Sequence, residues 1–313
     1  MNNLFFIVNP QAKNGFGMKT WQTVEAVLVE RQISYQVLFT EHSGHAKELA
    51  RKIGRNSSNE ETVVIAVGGD GTLHEVINGL IKYPTIKVGL IPAGSGNDFC
   101  RGFLVPSDPI HALNLIMGLN NRFSKAVDIG MMTNASSEEI YFVNNMGAGF
   151  DALVAEGANQ SRLKALFNRI SLGKLVYVAI LLKKLITFRS TSVEINVDGS
   201  VSNFEKVWFV TVSNQPYFGG GMKIAPDASP FDGELNITVV HNLSKLKLLA
   251  VFISVFWGRH TKFKEVKTLT GKSLKIDSSE PLLVHLDGEI YGHTPVTVKV
   301  VEKALPMLIG SDY

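Results

Sequence analysis

The apolar run Val63-Val64-Ile65-Ala66-Val67 breaks into Gly68-Gly69-Asp70-Gly71-Thr72 and becomes helical from Leu73, and this succession constrains the fold more than any other feature of the chain. A strand that turns tightly into a helix needs backbone conformations that glycine alone adopts without strain. Main-chain N–H groups at such a turn and helix start carry partial positive charge and suit an anion such as a phosphate. Asp70 would repel a phosphate directly, so its natural partners are Mg²⁺ or a hydroxyl. A tight strand-to-helix turn needs glycine for steric reasons as well, and that reading stands beside the anion-binding one.

A second unit repeats the pattern. Ile86 to Ile91 leads into Pro92-Ala93-Gly94-Ser95-Gly96-Asn97-Asp98-Phe99, where Asn97 or Asp98 is placed to cap the next helix. Upstream, Leu4 to Val8 and Tyr35 to Phe39 read as strands, residues 19 to 32 and His45 to Ile53 as helices, and Gln11 to Gly17 as a glycine-containing loop with Lys13. Strand and helix alternate four times, which predicts right-handed crossovers and a doubly wound parallel sheet with helices on both faces. Two glycine turns in consecutive units lie side by side on one sheet edge, where open α/β sheets bind ligands.

After about Arg122 the rhythm changes to short strands: Val127 to Met132, Tyr141 to Met146, Thr191 to Val197, Lys206 to Ser213, Glu234 to Val240, Glu265 to Lys267, Leu274 to Ile276, Leu282 to Leu286 and Val296 to Val301. Asp198-Gly199 and Asp287-Gly288 are hairpin signals. The predicted fold is therefore α/β plus β, an N-terminal doubly wound parallel-sheet domain followed by a C-terminal antiparallel β-sandwich. The expected boundaries are 1–125 for the first domain and 126–303 for the second, with 304–313 a tail in which Leu305 to Ile309 returns to the first domain as an edge strand. Two helical stretches interrupt the sandwich, one from about Ala152 to Ile186 with breaks near Gly157 and Gly173, the other from Leu243 to Trp257.

The 313 residues are 45% hydrophobic, enough for two full cores. A formal charge of +3 from 31 basic and 28 acidic residues is too mild for a nucleic-acid binder. One cysteine, Cys100, excludes an intramolecular disulfide framework and reads as a packing residue. Leu4 to Val8 is too short for the apolar region of a signal peptide, and Lys183-Lys184 and Arg259 interrupt the longest apolar stretches, so neither a secretory leader nor a membrane span is expected. A cytoplasmic protein fits these features.

Carboxylates recur in turns of both halves: Asp70, Asp98, Asp128, Asp227, Asp232, Asp287 and Glu289. Asp232 offers a carboxylate and Ser229 and Glu234 offer carbonyls in one tight loop, an all-oxygen set of the kind hard divalent cations take, although Asp232-Gly233 is equally an ordinary turn. A carboxylate in Asp287-Gly288-Glu289 could take a proton from a substrate hydroxyl, or simply serve a hairpin. Gly271-Lys272-Ser273 imitates a P-loop ending without its first glycine, Gly15 and Gly17 lack the last glycine of a dinucleotide fingerprint, His42 and His45 lack a third metal ligand, and Ser95 is not in a nucleophile elbow. Ser161 to Arg169 and Lys245 to His260 mix basic with large apolar residues, a pattern that suits anionic lipid surfaces as well as helices packed on a core with snorkelling lysines.

Taken in order, Val67-Gly68-Gly69-Asp70-Gly71-Thr72 with Glu75 and Asn78, Pro92 to Phe99, Asp128-Ile129-Gly130, Asn145 to Asp151, Pro226-Asp227-Ala228 with Asp232-Gly233, and Leu286 to Glu289 resemble the bacterial soluble diacylglycerol kinases of the diacylglycerol, sphingosine and ceramide kinase superfamily. The first motif alone is shared with NAD kinases. The resemblance implies ATP held between two domains and transfer of its γ-phosphoryl group to a lipid hydroxyl, most directly that of diacylglycerol to give phosphatidic acid. It implies that Gly68, Gly69, Asp70, Gly71, Thr72, Leu73 and His74 line the nucleotide phosphates and that Thr40 and Ser95 contact the nucleotide. Asn97 and Asp98 complete that set, with Asp70 and Asp98 at the reacting end. It places Mg²⁺ at Asp232 with the carbonyls of Ser229 and Glu234, and draws the general base from Asp287 and Glu289, with Asp287 favoured. Ser95 stands where relatives often carry threonine and keeps the hydroxyl. The implied partners are ATP and a lipid at the inner membrane face, reached by peripheral contact, with a homodimer left open. Phosphatidylglycerol or a sphingoid base as acceptor, an NAD-kinase-type activity and a non-catalytic sensor are the alternatives.

Overall fold

In the computed structural model, residues 3–57, 62–119, 124–160 and 181–310 are described. Their contacts divide into two units, one of residues 1–129 with 302–313, the other of residues 130–301.

The first unit alternates strand and helix: β1 (Asn3–Val8), α1 (Ala12–Glu30), β2 (Gln36–Phe39), α2 (His45–Asn56), β3 (Thr62–Gly68), α3 (Asp70–Leu80), β4 (Lys87–Pro92), α4 (Asp98–Gly102) and α5 (Pro109–Leu119). The strands pair in parallel in the order β2-β1-β3-β4. All seven residues of β3 are buried, which is why its sequence is a continuous apolar run rather than an alternating one. The loop read at Gln11 to Gly17 survives as an interruption of α1, where Lys13, Asn14 and Gly15 have φ of 45°, 56° and 89°. Trp21 and Phe6 meet beneath it with ring centroids 5.1 Å apart.

The second unit takes up the antiparallel strands. After β5 (Lys125–Thr133) come β6 (Glu139–Phe142), β7 (Asn145–Gly149), α6 (Phe150–Gln160), a helix α7 over 181–187, β8 (Thr191–Val197) and β9 (Ser200–Ser213). They are followed by β10 (Tyr217–Phe218), β11 (Met222–Lys223), β12 (Leu235–His241), α8 (Lys245–Val255), β13 (Val266–Gly271), β14 (Ser273–Ser278), β15 (Leu283–Leu286), β16 (Glu289–His293) and β17 (Val296–Met307). The long β9 is the hub, paired antiparallel with β7, β8 and β12. Inward side chains of these strands, among them Ile195, Val210, Val212, Ile237 and Ile276, form the sandwich core.

Both predicted hairpins are present. Asp198 and Gly199 have φ of 48° and 91°, Asp287 and Gly288 have φ of 49° and 94°, and each pair joins adjacent strands by two left-handed residues. The strands differ from the sequence reading at three places. The strand foreseen over Tyr141 to Met146 is two strands, because Val143 and Asn144 leave the ladder to donate to Asp287. Glu289–His293 is a strand that the polar sequence did not announce. The Val296 strand does not stop at Val301 but runs on to Met307; its last residues belong to the first unit, where Met307 pairs in parallel with Val88 of β4. Of the helical stretch read from Ala152 to Ile186, the described residues show α6, which runs through Gly157 without the expected break, and α7; Gly173 and Ser161 to Arg169 lie outside the described residues.

Candidate active site

In the first unit the two glycine turns touch. β3 and β4 are parallel neighbours with Gly68 opposite Pro92, and the Ala93 N–H donates to the Gly68 carbonyl at 2.7 Å. A side chain on Gly94 would lie 2.5 Å from the Cα of Gly69, and one on Gly69 would lie 3.0 Å from the Cα of Gly94. Neither glycine has a positive φ, so both are required by main chain packed on main chain and not by a turn conformation that only glycine adopts. A side chain on Gly68 would in turn collide with Thr72, whose hydroxyl accepts from Asn9 Nδ2 at 3.3 Å.

Asp70 fastens the two turns. Its Oδ2 accepts the N–H of Asp98 at 3.1 Å and its Oδ1 that of Phe99 at 3.0 Å. The cap of α4 thus comes from the first turn, not from Asn97 or Asp98 as the sequence suggested; Asn97 sits in a left-handed conformation, φ 53°, with no side-chain cap bond. A carboxylate at a helix N-terminus satisfies donors that the helix leaves open and is favoured by its dipole. Asp98 is buried and pairs with Arg101 at 3.1 Å, and the same guanidinium donates to the Gly96 carbonyl. Asn97 Oδ1 is buried without a hydrogen-bond partner, and Ser95 is exposed. Cys100, beneath this turn, has its thiol pushed up to about 12 by burial, with the charge of Asp70 adding to it, so it packs and does not react.

Leu73 and His74 are buried in the first turn of α3. Thr40 continues β2, its N–H donating to the Val8 carbonyl at 2.9 Å. Glu75 has a role its sequence position did not disclose: its carboxylate accepts the N–H groups of Gly44 at 2.8 Å and Ala46 at 3.0 Å, tying the start of α2 to α3. His42 and His45 stack at 4.8 Å, and among the described residues no group of three His, Cys, Asp or Glu side chains is placed to hold a metal.

In the second unit the Asp287 hairpin is a structural clamp. Asp287 Oδ1 accepts from the N–H groups of Asn144 at 2.9 Å and Asn145 at 3.1 Å, Oδ2 accepts from Val143 at 3.0 Å, and the Asp287 N–H donates to the Asn145 carbonyl at 2.8 Å. Glu289, two residues on, is exposed. Asp232 is exposed too, its Oδ1 accepting from the Glu234 N–H at 3.0 Å.

A pocket opens among α6, β9, β10, β11 and α8, walled by apolar side chains such as Phe150, Val154, Phe218, Leu248 and Phe252, with Asp151 and Thr211 as its polar end. Thr211 Oγ1 donates to Asp151 Oδ2 at 3.3 Å, and His285 Nε2 lies 3.6 Å from the same oxygen. His285 stacks on Phe218 at 5.1 Å and accepts from the Gly288 N–H through Nδ1 at 3.3 Å, so Nε2 carries its proton. His285 thereby links the polar end of the pocket to the hairpin that bears Glu289. A side chain on Gly147 would strike both Asp151 and His285, which accounts for the glycine in the Asn145 to Asp151 motif. The sequence reading did not single out His285; the signal was a histidine between the core residues Val284 and Leu286, on the opposite face of the strand and buried there.

A diacylglycerol kinase catalytic domain model matches residues 3–132, and a YegS C-terminal NAD kinase β-sandwich-like domain model matches residues 144–309. The chain belongs to the diacylglycerol kinase family. It is a lipid kinase, an enzyme. Among its relatives is the candidate lipid kinase YtlR of Bacillus subtilis, 34% identical over 297 residues that cover 94% of this chain and 96% of that protein. A diacylglycerol kinase of Staphylococcus aureus is 31% identical over 80% of this chain and 75% of its own length. The crystal structure of a candidate diacylglycerol kinase from Bacillus anthracis superposes with a TM-score of 0.78 at 25% identity, over 98% of this chain and 95% of that one. Family membership implies a nucleoside triphosphate donor and a lipid acceptor. Among the described residues no helix of the kinase is long and apolar enough to cross a membrane.

Proposed function

We propose that the kinase transfers the γ-phosphoryl group of ATP to the free hydroxyl of diacylglycerol, giving phosphatidic acid. The observation that carries this reading is the contact of the two glycine turns, locked by Asp70 across the start of α4. It leaves a main-chain cradle without side chains at Gly68, Gly69 and Gly94, beside the N-terminus of α3, the arrangement a polyphosphate needs. Gly71, Thr72, Leu73 and His74 continue that cradle, and Thr40 and Ser95 flank it. Asn97 Oδ1, a buried acceptor in want of a donor, suits an amino or hydroxyl group of the nucleotide.

Phosphoryl transfer passes through a loose transition state, so positioning and charge stabilisation carry most of the rate and the base has only to receive a proton. We assign that role to Glu289, whose carboxylate is exposed, over Asp287, whose two oxygens are held by three main-chain N–H groups. Asp287 is then a positioning residue that sets the hairpin. Asp70 and Asp98 hold the nucleotide turn in shape. The Asp232 carboxylate with the carbonyls of Ser229 and Glu234 is an all-oxygen donor set and fits Mg²⁺ with waters completing its shell. Such an ion, when bound, would supply positive charge at that loop. The apolar pocket takes acyl chain, with Asp151 and Thr211 at the headgroup end.

Calorimetric titration with ATP tests the cradle. The unaltered kinase is expected to bind ATP, and Gly94→Ala, which forces a Cβ against the Gly69 backbone, is expected to weaken binding at least ~10-fold. Unchanged affinity in that variant would remove the turns from the nucleotide site.

A further inference from the structure

Helix α8 (Lys245–Val255) is apolar on both sides. Its inner face, Leu248, Val251 and Val255, is buried, and with Leu249 and Phe252 it lines the pocket that ends at Asp151. Its outer face is apolar as well. Leu246, Ala250, Ile253 and Trp257 recur at the spacing of one helical stripe, and Leu246, Ile253 and Trp257 are 81%, 58% and 67% exposed, with Phe256 beside them at 45%. The stripe continues onto α7: Lys245 Nζ donates to the Ile186 carbonyl at 2.7 Å, and Ile186 and Leu182 are 74% and 44% exposed.

A helix that is hydrophobic all round is ordinarily buried in a core or in a bilayer, and here one face is left to solvent. The charges that this stretch of chain itself carries have one sign. From His241 to Lys264 the chain carries Lys245, Lys247, Arg259, Lys262 and Lys264 and no aspartate or glutamate. Lys247 is turned inward to Glu265 at 2.5 Å; Lys245, Arg259, Lys262 and Lys264 are exposed. Large apolar side chains, including a tryptophan at one end, rimmed by cations are complementary to the headgroup layer of an anionic bilayer.

We propose that the outer face of α8, with the adjoining end of α7, is the membrane-docking surface of this kinase, its occupant an anionic lipid bilayer. The inference rests on the reading of the pocket as an acyl-chain site and deepens it. One helix is then the wall between bilayer and pocket, and a diacylglycerol reaches Asp151 past α8 without its chains crossing water. The apolar stripe supplies depth, and the basic rim selects anionic headgroups.

Vesicle flotation with the purified full chain tests this, using vesicles of phosphatidylcholine alone or in equal parts with phosphatidylglycerol. The kinase is expected to float with the anionic vesicles and to stay largely behind with the neutral ones. Leu246→Ser with Trp257→Ser is expected to lower binding to anionic vesicles by at least ~10-fold, since each removes a large apolar group from the contact. Lys245→Glu with Arg259→Glu is expected to abolish the preference for anionic vesicles. Trp21 and Trp208 are 1% and 4% exposed, so a blue shift of tryptophan emission on adding vesicles reports Trp257. None of these four side chains lines the pocket, so turnover of a short-chain, water-dispersed diacylglycerol is expected to be unchanged in both variants while turnover of long-chain diacylglycerol in vesicles falls. Vesicle binding by the serine variant equal to that of the unaltered kinase would overturn the proposal. So would a dimer of the unaltered kinase that the same variant dissociates, which would assign the face to a second copy. Flotation needs no catalysis, so a kinase that binds vesicles normally yet phosphorylates no diacylglycerol would refute the substrate and leave the docking surface standing.

Discussion

At the residue scale the acidic positions divide by what their oxygens already hold. Asp70 and Asp287 stand at motif positions that invite a chemical role, yet each accepts main-chain N–H groups through both oxygens. Removing either carboxylate leaves buried donors unpaired, at a cost of about 1–3 kcal/mol for each donor so stranded. Glu289 carries no such duty among the hydrogen bonds that define its hairpin. Glu289→Gln is therefore expected to lower kcat by roughly 10²–10⁴-fold with ATP affinity and melting temperature unchanged. Asp287→Ala is expected to lower the melting temperature first. Steady-state kinetics beside thermal melts separates the two, and a Glu289→Gln enzyme at full turnover would return the base to Asp287. The sequence showed these carboxylates but not their partners, because a hydrogen bond from residue 144 to residue 287 leaves no local trace. Glu75 was legible as a motif member and opaque in role for the same reason.

At the element scale, regular pattern was readable and irregular pattern was not. The buried β3 run, the alternation that builds the parallel sheet and the two Asp-Gly hairpins all follow from local chemistry acting over a few residues. The break between β6 and β7 depends on Asp287 drawing Val143 and Asn144 out of the ladder, and β16 owes its strand to its partner β15 rather than to its own composition. His260 shows the same long-range dependence. Just past the end of α8, it is fully buried, donates through Nε2 to the Ile224 carbonyl at 2.9 Å and has no partner at Nδ1. Burial holds its pKa below the ordinary value of 6.5, the carbonyl bond opposing only in part. The unfolded chain therefore binds the proton more readily than the folded one. The stability this residue contributes is complete above about pH 6.5 and is lost as pH falls from there through the folded value. Melting temperature is expected to decline from about pH 7 to about pH 5, and less steeply in His260→Gln; equal slopes would show that protonation of His260 does not contribute to the decline.

At the scale of the whole molecule, two units contribute different chemistry to one family of enzymes. The first offers a main-chain cradle with few side chains, the second an apolar pocket with one carboxylate at its polar end and a hairpin bearing an exposed glutamate. Six motifs spread along the chain carried the family in the sequence, and two family models covering residues 3–132 and 144–309 bear it out. The acceptor was not legible there, because a pocket assembled from α6, β9 and α8 has no linear signature. The most direct measurement is therefore product identity: γ-labelled ATP incubated with the purified kinase and, in separate mixed micelles, diacylglycerol, phosphatidylglycerol and a sphingoid base, with NAD in solution as a further acceptor. The account expects label in phosphatidic acid and in no other product at comparable rate. Label in NADP, or preferential labelling of another lipid, would contradict it.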